Sequence, residues 1–300
     1  SFLTSRFTNN YHWIFTIYAI VFGFFFLRSF RFITDSKYYD NGLTCLIIAG
    51  IFVMSNSMFN INGVRFWTAA WVAVAATFQI FVNRDLKYFV LALMTPLIHV
   101  SYLLYVIIII IAFFTGKYKR LWVPLFALSF LLSSFARDLL IFVETLLPPF
   151  MSKTVTIYTD EELMELKESS LSWYQQLFSF LEVFIVNIIV VIFLWYQDEI
   201  KKNKKSYFVF LFLIVWMTFV NFTISVPSLG SRFLHISLPF ICFIWLYNFK
   251  QYRKFISILF LIIIAFSMDF LYQIRMIFKV TEPEFFLASP IYNLIQKLFA

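Results

Sequence analysis

The fold turns on one stretch, YFVLALMTPLIHVSYLLYVIIIIIAFFTG, residues 88–116. It contains no Asp, Glu, Lys or Arg. As a single helix it is long enough to cross a bilayer, which takes about 20 apolar residues. Pro96, His99 and Ser101 interrupt it near its middle. A kinked helix crosses once, whereas a hairpin turning near His99 returns to the side it left. The basic residues decide between them. They gather at Arg84 and Lys87, at Lys117, Lys119 and Arg120, in the KKNKK run at 201–205, and at Lys250, Arg253 and Lys254. Cytoplasmic loops are enriched in Lys and Arg. Only the hairpin puts these groups, with Arg28, Arg31 and Lys37, on one side. Its arms are thin for full spans, so a partly re-entrant hairpin is expected. Such a turn is tolerated where protein or a wet cavity surrounds it.

The rest of the chain has the same character. Of 300 residues, 62% are hydrophobic and 13% charged, and 43 are Phe. Mean hydropathy is +0.84. Soluble domains carry about 25% charged residues. A soluble core could not hide so much apolar surface, so a water-soluble enzyme is excluded. So are a disordered chain, a nucleic-acid-binding domain and a secreted disulfide scaffold. The net charge of +8 belongs to the loops and calls for no nucleic acid partner. Cys45 and Cys242 lie in apolar runs, with no metal or redox spacing. No cofactor and no metal are expected.

The fold class is therefore an all-α polytopic integral membrane protein, with about ten membrane segments of bilayer-crossing or shorter length. They fall at 11–30, 42–59, 65–83, 88–98, 102–116, 121–136, 176–196, 207–226, 233–248 and 255–273. One membrane domain over 1–300 is expected, with a long extracytoplasmic loop at about 137–175. The tail from 274 is expected outside, with EFFLASPIYNLIQKLFA as an interfacial amphipathic element. The opening SFLTSRFTNN lacks the form of a signal peptide.

Ionisable residues at membrane depth are costly and mark function. Arg65 shares a helical face with Ala69, Val72, Ala73 and Ala76. Small faces pack against other helices, so Arg65 points into the bundle at its outer end. Asn62 and Gly63 make the turn before it. His99 and Ser101 form the hairpin tip, where His99 can accept a proton or donate to a phosphate or sugar oxygen. Arg232 and His235 follow a break at Pro227 and Gly230 and share a face at i, i+3. Arg137 opens the external loop beside Asp138. Glu144, Glu161, Glu162 and Glu182 are the external carboxylates best placed to face the same cavity, although a charge run is usually a solvated face, and Asp269 near the outer end of the last segment is similar. Arginines gathered at one face suit an anionic amphiphile such as a lipid diphosphate.

The run from NGVRFWTAAWVAVAA, through the basic loop NRDLKYF, to LIHVSYLLYVIII resembles the EpsG family of bacterial polysaccharide polymerases, within the Wzy-like group. That family reads N-x-x-R-x-x-x-A, a short basic loop, then H-x-S. Asn62, Arg65, Ala69, His99 and Ser101 match it. SRF at 231–233 resembles the family's C-terminal arginine region. The family's usual upstream helices, with an acidic, tyrosine-containing segment, have no counterpart, so an N-terminal truncation is expected.

The resemblance implies a metal-independent membrane glycosyltransferase. It would transfer a growing exopolysaccharide, capsule or O-antigen chain from a polyprenyl diphosphate carrier to a lipid-linked repeat unit. Catalysis then falls to Arg65, His99 and Arg232, and substrate binding to Asn62, Ser101, Arg137 and His235. The implied partners are a polyprenyl-diphosphate-linked oligosaccharide, membrane lipid and other polysaccharide assembly proteins. The implied location is the bacterial cytoplasmic (inner) membrane, with the site facing the extracytoplasmic side. A glycan ligase of the O-antigen-ligase kind and a lipid-linked oligosaccharide flippase remain alternatives.

Overall fold

The computed structural model describes residues 12–55, 63–146, 172–226, 229–252 and 255–280. Asn62, most of the long external loop and the amphipathic tail lie outside the described residues. The helices are α1 (His12–Thr34), α2 (Leu43–Met54), α3 (Val64–Phe81), α4 (Tyr88–Ile98), α5 (Tyr102–Thr115), α6 (Lys119–Ser129), α7 (Ala136–Leu146), α8 (Trp173–Trp195), α9 (Gln197–Lys201), α10 (Lys204–Phe222), α11 (Gly230–His235), α12 (Ser237–Asn248) and α13 (Ile256–Val280). Among the described residues, six spans are long and apolar enough to cross a membrane, or seven if the bent α6–α7 pair counts as one. Each of the ten segments read from the sequence holds a helix. Three of them, α2, α4 and α5, are shorter than a full crossing. The protein is a polytopic integral membrane protein.

Two boundaries differ from the sequence reading. The external loop is helical at both flanks, with α7 running to Leu146 and α8 starting at Trp173. Ser172 and Gln175 form a capping box that satisfies backbone donors at the start of α8. The last helix continues to Val280, because QIRMIF keeps a helical apolar face past the expected end.

The hairpin is present. His99 ends α4 in an extended conformation (φ −149°, ψ 122°). At the tip, Phe66 lies 5.4 Å from His99 and 5.1 Å from Tyr102, ring to ring. At the open end, Phe89 and Phe113 meet at 5.2 Å. The arms therefore run antiparallel. With 11 and 14 residues, they are about 16 and 21 Å long at 1.5 Å per residue, short of a bilayer core of about 30 Å.

Helices α3, α10 and α12 form the centre. Over its most apolar stretch, 83% of α3 is buried, against 11% of α1. The small face explains this: Ala69, Ala73 and Ala76 are fully buried. Their size lets Tyr105 approach until its hydroxyl donates to the Ala73 carbonyl at 2.7 Å. Polar ties cross the apolar interior elsewhere. Asn187 and Asn221 exchange amide hydrogen bonds at 3.1 and 2.8 Å between α8 and α10.

The basic loops gather at one end. Arg84 stacks over Phe113 and Phe208, at 4.9 and 4.6 Å. Lys119 bonds Gln197, and Lys250 pairs with Asp40. The loops expected outside meet at the opposite end, where the Ser225 hydroxyl donates to the Ser133 carbonyl.

Candidate functional site

The sequence-predicted cations converge at that opposite end. Arg65, expected to point into the bundle, is instead exposed in the first turn of α3, where the helix begins at the rim. Phe66 turns inward beside it and is 3% exposed. Arg232, half-buried on α11, lies over the Phe66 ring at 5.6 Å. Phe66 also carries Phe233 at 5.5 Å. One aromatic ring thus holds His99 on one side and a guanidinium on another. Cation–π contacts of this kind contribute roughly 0.5–2 kcal/mol. Neither Arg65 nor Arg232 makes an ion pair with a carboxylate among the described residues.

Gly230 makes this arrangement possible. A Cβ there would stand 2.5 Å from the Ile224 Cα and 2.7 Å from the Thr223 carbonyl oxygen. The chain after α10 folds back so tightly that only glycine fits at the start of α11. That sharp return sets α11 where Arg232 lies over Phe66.

His99 is held by its own motif. Its Nδ1 lies 2.8 Å from the Ser101 hydroxyl and accepts from the Ser101 backbone N–H at 3.4 Å. A backbone N–H only donates, so Nδ1 is the acceptor and the hydrogen of the neutral ring sits on Nε2. The H-x-S spacing thus fixes a tautomer. Burial, with the neighbouring Arg232 and Arg65 guanidiniums, lowers the imidazole from its ordinary range to about 4. His99 at neutral pH is a neutral ring offering an N–H in the field of two cations. That is a hydrogen-bond donor for an anion and a poor proton acceptor.

The remaining predicted residues are placed as follows. Ser101 is buried at the hairpin tip. Arg137 is half-buried at the start of α7, on the segment that Ser133 ties to the α10–α11 connection. His235 parts from Arg232 despite the i, i+3 spacing. It is buried, with its Nε2 3.5 Å from Glu182 Oε2. Its ring also packs 5.8 Å from Trp67 and 5.0 Å from Phe266.

Glu182 corrects the sequence reading. It is not a solvated outer charge but is buried in α8. Asp269 is half-buried and acts electrostatically on both Glu182 and His235. The signal was available, since Glu182 stands inside the apolar run FSFLEVFIVNIIVV. A carboxylate there needs a partner, and the partner lay on a helix far along the chain.

The model of the EpsG family matches residues 1–286. No curated protein and no solved structure matches the chain.

Proposed function

The chain belongs to the EpsG family, a family of Wzy-like polysaccharide polymerases, and from that premise we propose that it extends a surface glycan on a polyprenyl diphosphate carrier. The growing chain leaves its carrier and joins a sugar hydroxyl of an incoming lipid-linked repeat unit. Exopolysaccharide, capsule and O-antigen are the candidate products. The site faces the extracytoplasmic side of the bacterial cytoplasmic membrane.

One observation carries this reading. Arg65, Arg232 and the Nε2–H of His99 converge around Phe66, and among the described residues no carboxylate pairs with either guanidinium. As the anomeric bond breaks, negative charge grows on the leaving diphosphate. Arg232, held over Phe66, and the neutral N–H of His99 are positioned before the charge appears, and the exposed Arg65 adds a second guanidinium to stabilise it. Arginine suits the task because its planar fork meets two phosphate oxygens at once. The aromatic ring beneath Arg232 limits where its fork can lie. Ser101 supports the site by fixing the His99 tautomer, and Arg137 extends the positive field at the same end. Asn62, three residues before Arg65 in the sequence, joins the substrate-binding set. Of the lipid substrate, the diphosphate meets the cations while the isoprenoid tail stays in the bilayer.

The test uses a strain deleted for the gene, complemented with wild type or Arg65→Ala. The lipid-linked sugars and surface glycan are resolved by size. Polymerase activity predicts loss of the long-chain ladder, with single repeats accumulating on the outer leaflet, in both the deletion and the variant. Long polymer retained on its carrier identifies a ligase. Single repeats held on the inner leaflet identify a flippase, and either outcome rejects the polymerase reading.

A further inference from the structure

A second cluster lies one turn of α11 from Arg232 and is not used by the steps above. His235 Nε2 faces Glu182 Oε2 at 3.5 Å, and both side chains are nearly buried, at 11% and 7% exposure. His235 Nδ1 is 3.2 Å from the Ser55 carbonyl oxygen. That oxygen only accepts, so Nδ1 carries a hydrogen. Asp269 on α13 acts on both groups. Gln273 lies one turn further along α13, and its Nε2 donates to Asp269 Oδ2 at 2.5 Å. Its Oε1 is buried and meets no donor among the described residues.

Two features set this cluster apart from a structural tie. A tie between α8 and α11 needs only a hydrogen bond, which a glutamine at position 182 would supply. Buried charges cost more to desolvate than such a pair commonly returns. Asp269 also adds a second carboxylate, which repels the first. The inventory is therefore rich in acceptors and poor in donors. Glu182 faces an imidazole whose Nδ1–H is already committed to Ser55, and Asp269 with the orphaned Gln273 amide oxygen follows on α13 after Phe266, which packs on that ring. The complementary ligand brings O–H groups. A sugar does.

We infer that Glu182, His235, Asp269 and Gln273 form the acceptor side of the site, where a sugar hydroxyl is bound and the Glu182 carboxylate takes its proton. The inference rests on the polymerase reading and deepens it. The transfer needs a base for the acceptor hydroxyl, and His99 cannot serve. Its Nδ1 is occupied by Ser101, and its neighbours are cations. Glu182 meets His235, whose ring packs on Trp67, the chain neighbour of the Phe66 that lies beneath Arg232. The cationic side thus holds the leaving group and the acidic side holds the nucleophile.

The step balances as follows. The acceptor oxygen forms a bond to the anomeric carbon of the donor glycan, and its proton passes to Glu182. The bond from the anomeric carbon to phosphate oxygen breaks. Its electron pair leaves with the lipid diphosphate, held by Arg65 and Arg232. His235 orients the Glu182 carboxylate, while Asp269 and the Gln273 carbonyl hold neighbouring hydroxyls.

The experiment uses the full chain in liposomes with a synthetic repeat unit on a polyprenyl diphosphate. A soluble oligosaccharide of the same repeat serves as a titratable acceptor. Glu182→Gln keeps the volume and the hydrogen bond to His235. Its transfer rate is expected to fall at least about 100-fold, the scale of general-base catalysis, while binding of the lipid diphosphate is unchanged. A wild-type rate in Glu182→Gln makes the pair a mere tie and overturns the inference. Asp269→Asn and Gln273→Leu are expected to raise the acceptor KM several-fold with lipid diphosphate binding intact. If Glu182→Gln does not accumulate in the membrane, these two carry the test, and an unchanged acceptor KM in both rejects the subsite. Failure of the wild type to polymerise would sink the polymerase reading itself, a different result from polymerisation that is indifferent to Glu182.

Discussion

Single residues in the site do work that their charge alone does not describe. Arg232 rests over Phe66 at 5.6 Å, which limits where its fork can lie. Arg232→Lys keeps the charge and loses the planar fork, so polymer formation is expected to fall about as far as in Arg232→Ala. Removing one donor of this type costs about 100- to 1,000-fold in kcat. A rate for the lysine variant close to wild type would show that a point charge suffices. His99 gives a pH prediction. Burial and the two guanidiniums lower its imidazole to about 4. Between pH 4 and 6.5 the unfolded chain therefore binds more protons at this position than the folded one. By linkage, the contribution of His99 to stability rises with pH through that window and is flat above it. No limb of the rate profile between pH 6 and 8 should come from His99 in the free protein. A bound diphosphate cancels part of the guanidinium field, so the His99 titration should move upward on adding inorganic pyrophosphate. NMR of the imidazole checks this, and an ordinary value near 6.5 without ligand would contradict the arrangement.

At the scale of elements, the site depends on the return from α10 into α11. Gly230→Ala drives a methyl group into Ile224 and Thr223. Overpacking of this kind costs roughly 1–3 kcal/mol. The chain can relieve it only by swinging α11, which carries Arg232. Gly230→Ala is therefore expected to lose activity out of proportion to its fall in thermal stability in detergent. The buried Asn187–Asn221 pair offers the contrast. Asn187→Leu should lower stability by about 0.6–1.7 kcal/mol, the range for such bonds in membranes, and leave the polymer length distribution intact. Elements were the most legible level of the sequence. The alanine face of α3 was readable because helical spacing and residue size fix it locally. The break at His99 was readable from Pro96 and from the charges beyond it. The Glu182–His235 contact was not, because it joins helices far apart in the chain and no local pattern records which faces meet. For the same reason the shared face of Arg232 and His235 misled. In so short a helix, what packs around each side chain outweighs the spacing.

For the whole molecule, the arrangement of charges is the strongest constraint, and it makes the hairpin testable without any substrate. The kinked-helix alternative and the hairpin share the same sequence from 88 to 116, but they differ in where Lys117 emerges relative to Leu86. In the hairpin, Leu86 and Lys117 lie at the same end as Asn203. Arg84 bridges that end by stacking on Phe113 and Phe208, and Lys119 reaches Gln197. Ser134 lies at the other end, beside the Ser133 tie to Ser225. Cys45 and Cys242 are buried, so replacing them with Ala removes the background thiols. Single cysteines are then placed at the exposed positions Leu86, Lys117 and Ser134. With a membrane-impermeant thiol reagent, the first two should label from the same face, and Ser134 from the opposite one. The positive-inside bias predicts a cytoplasmic location for that shared face, so on this expectation intact cells should label Ser134 and inverted vesicles the other two. Opposite labelling of Leu86 and Lys117 would turn 88–116 into a single span. It would also move His99 to the bilayer midplane and separate it from Arg65 and Arg232. The three-way convergence on which the polymerase chemistry depends would then be impossible.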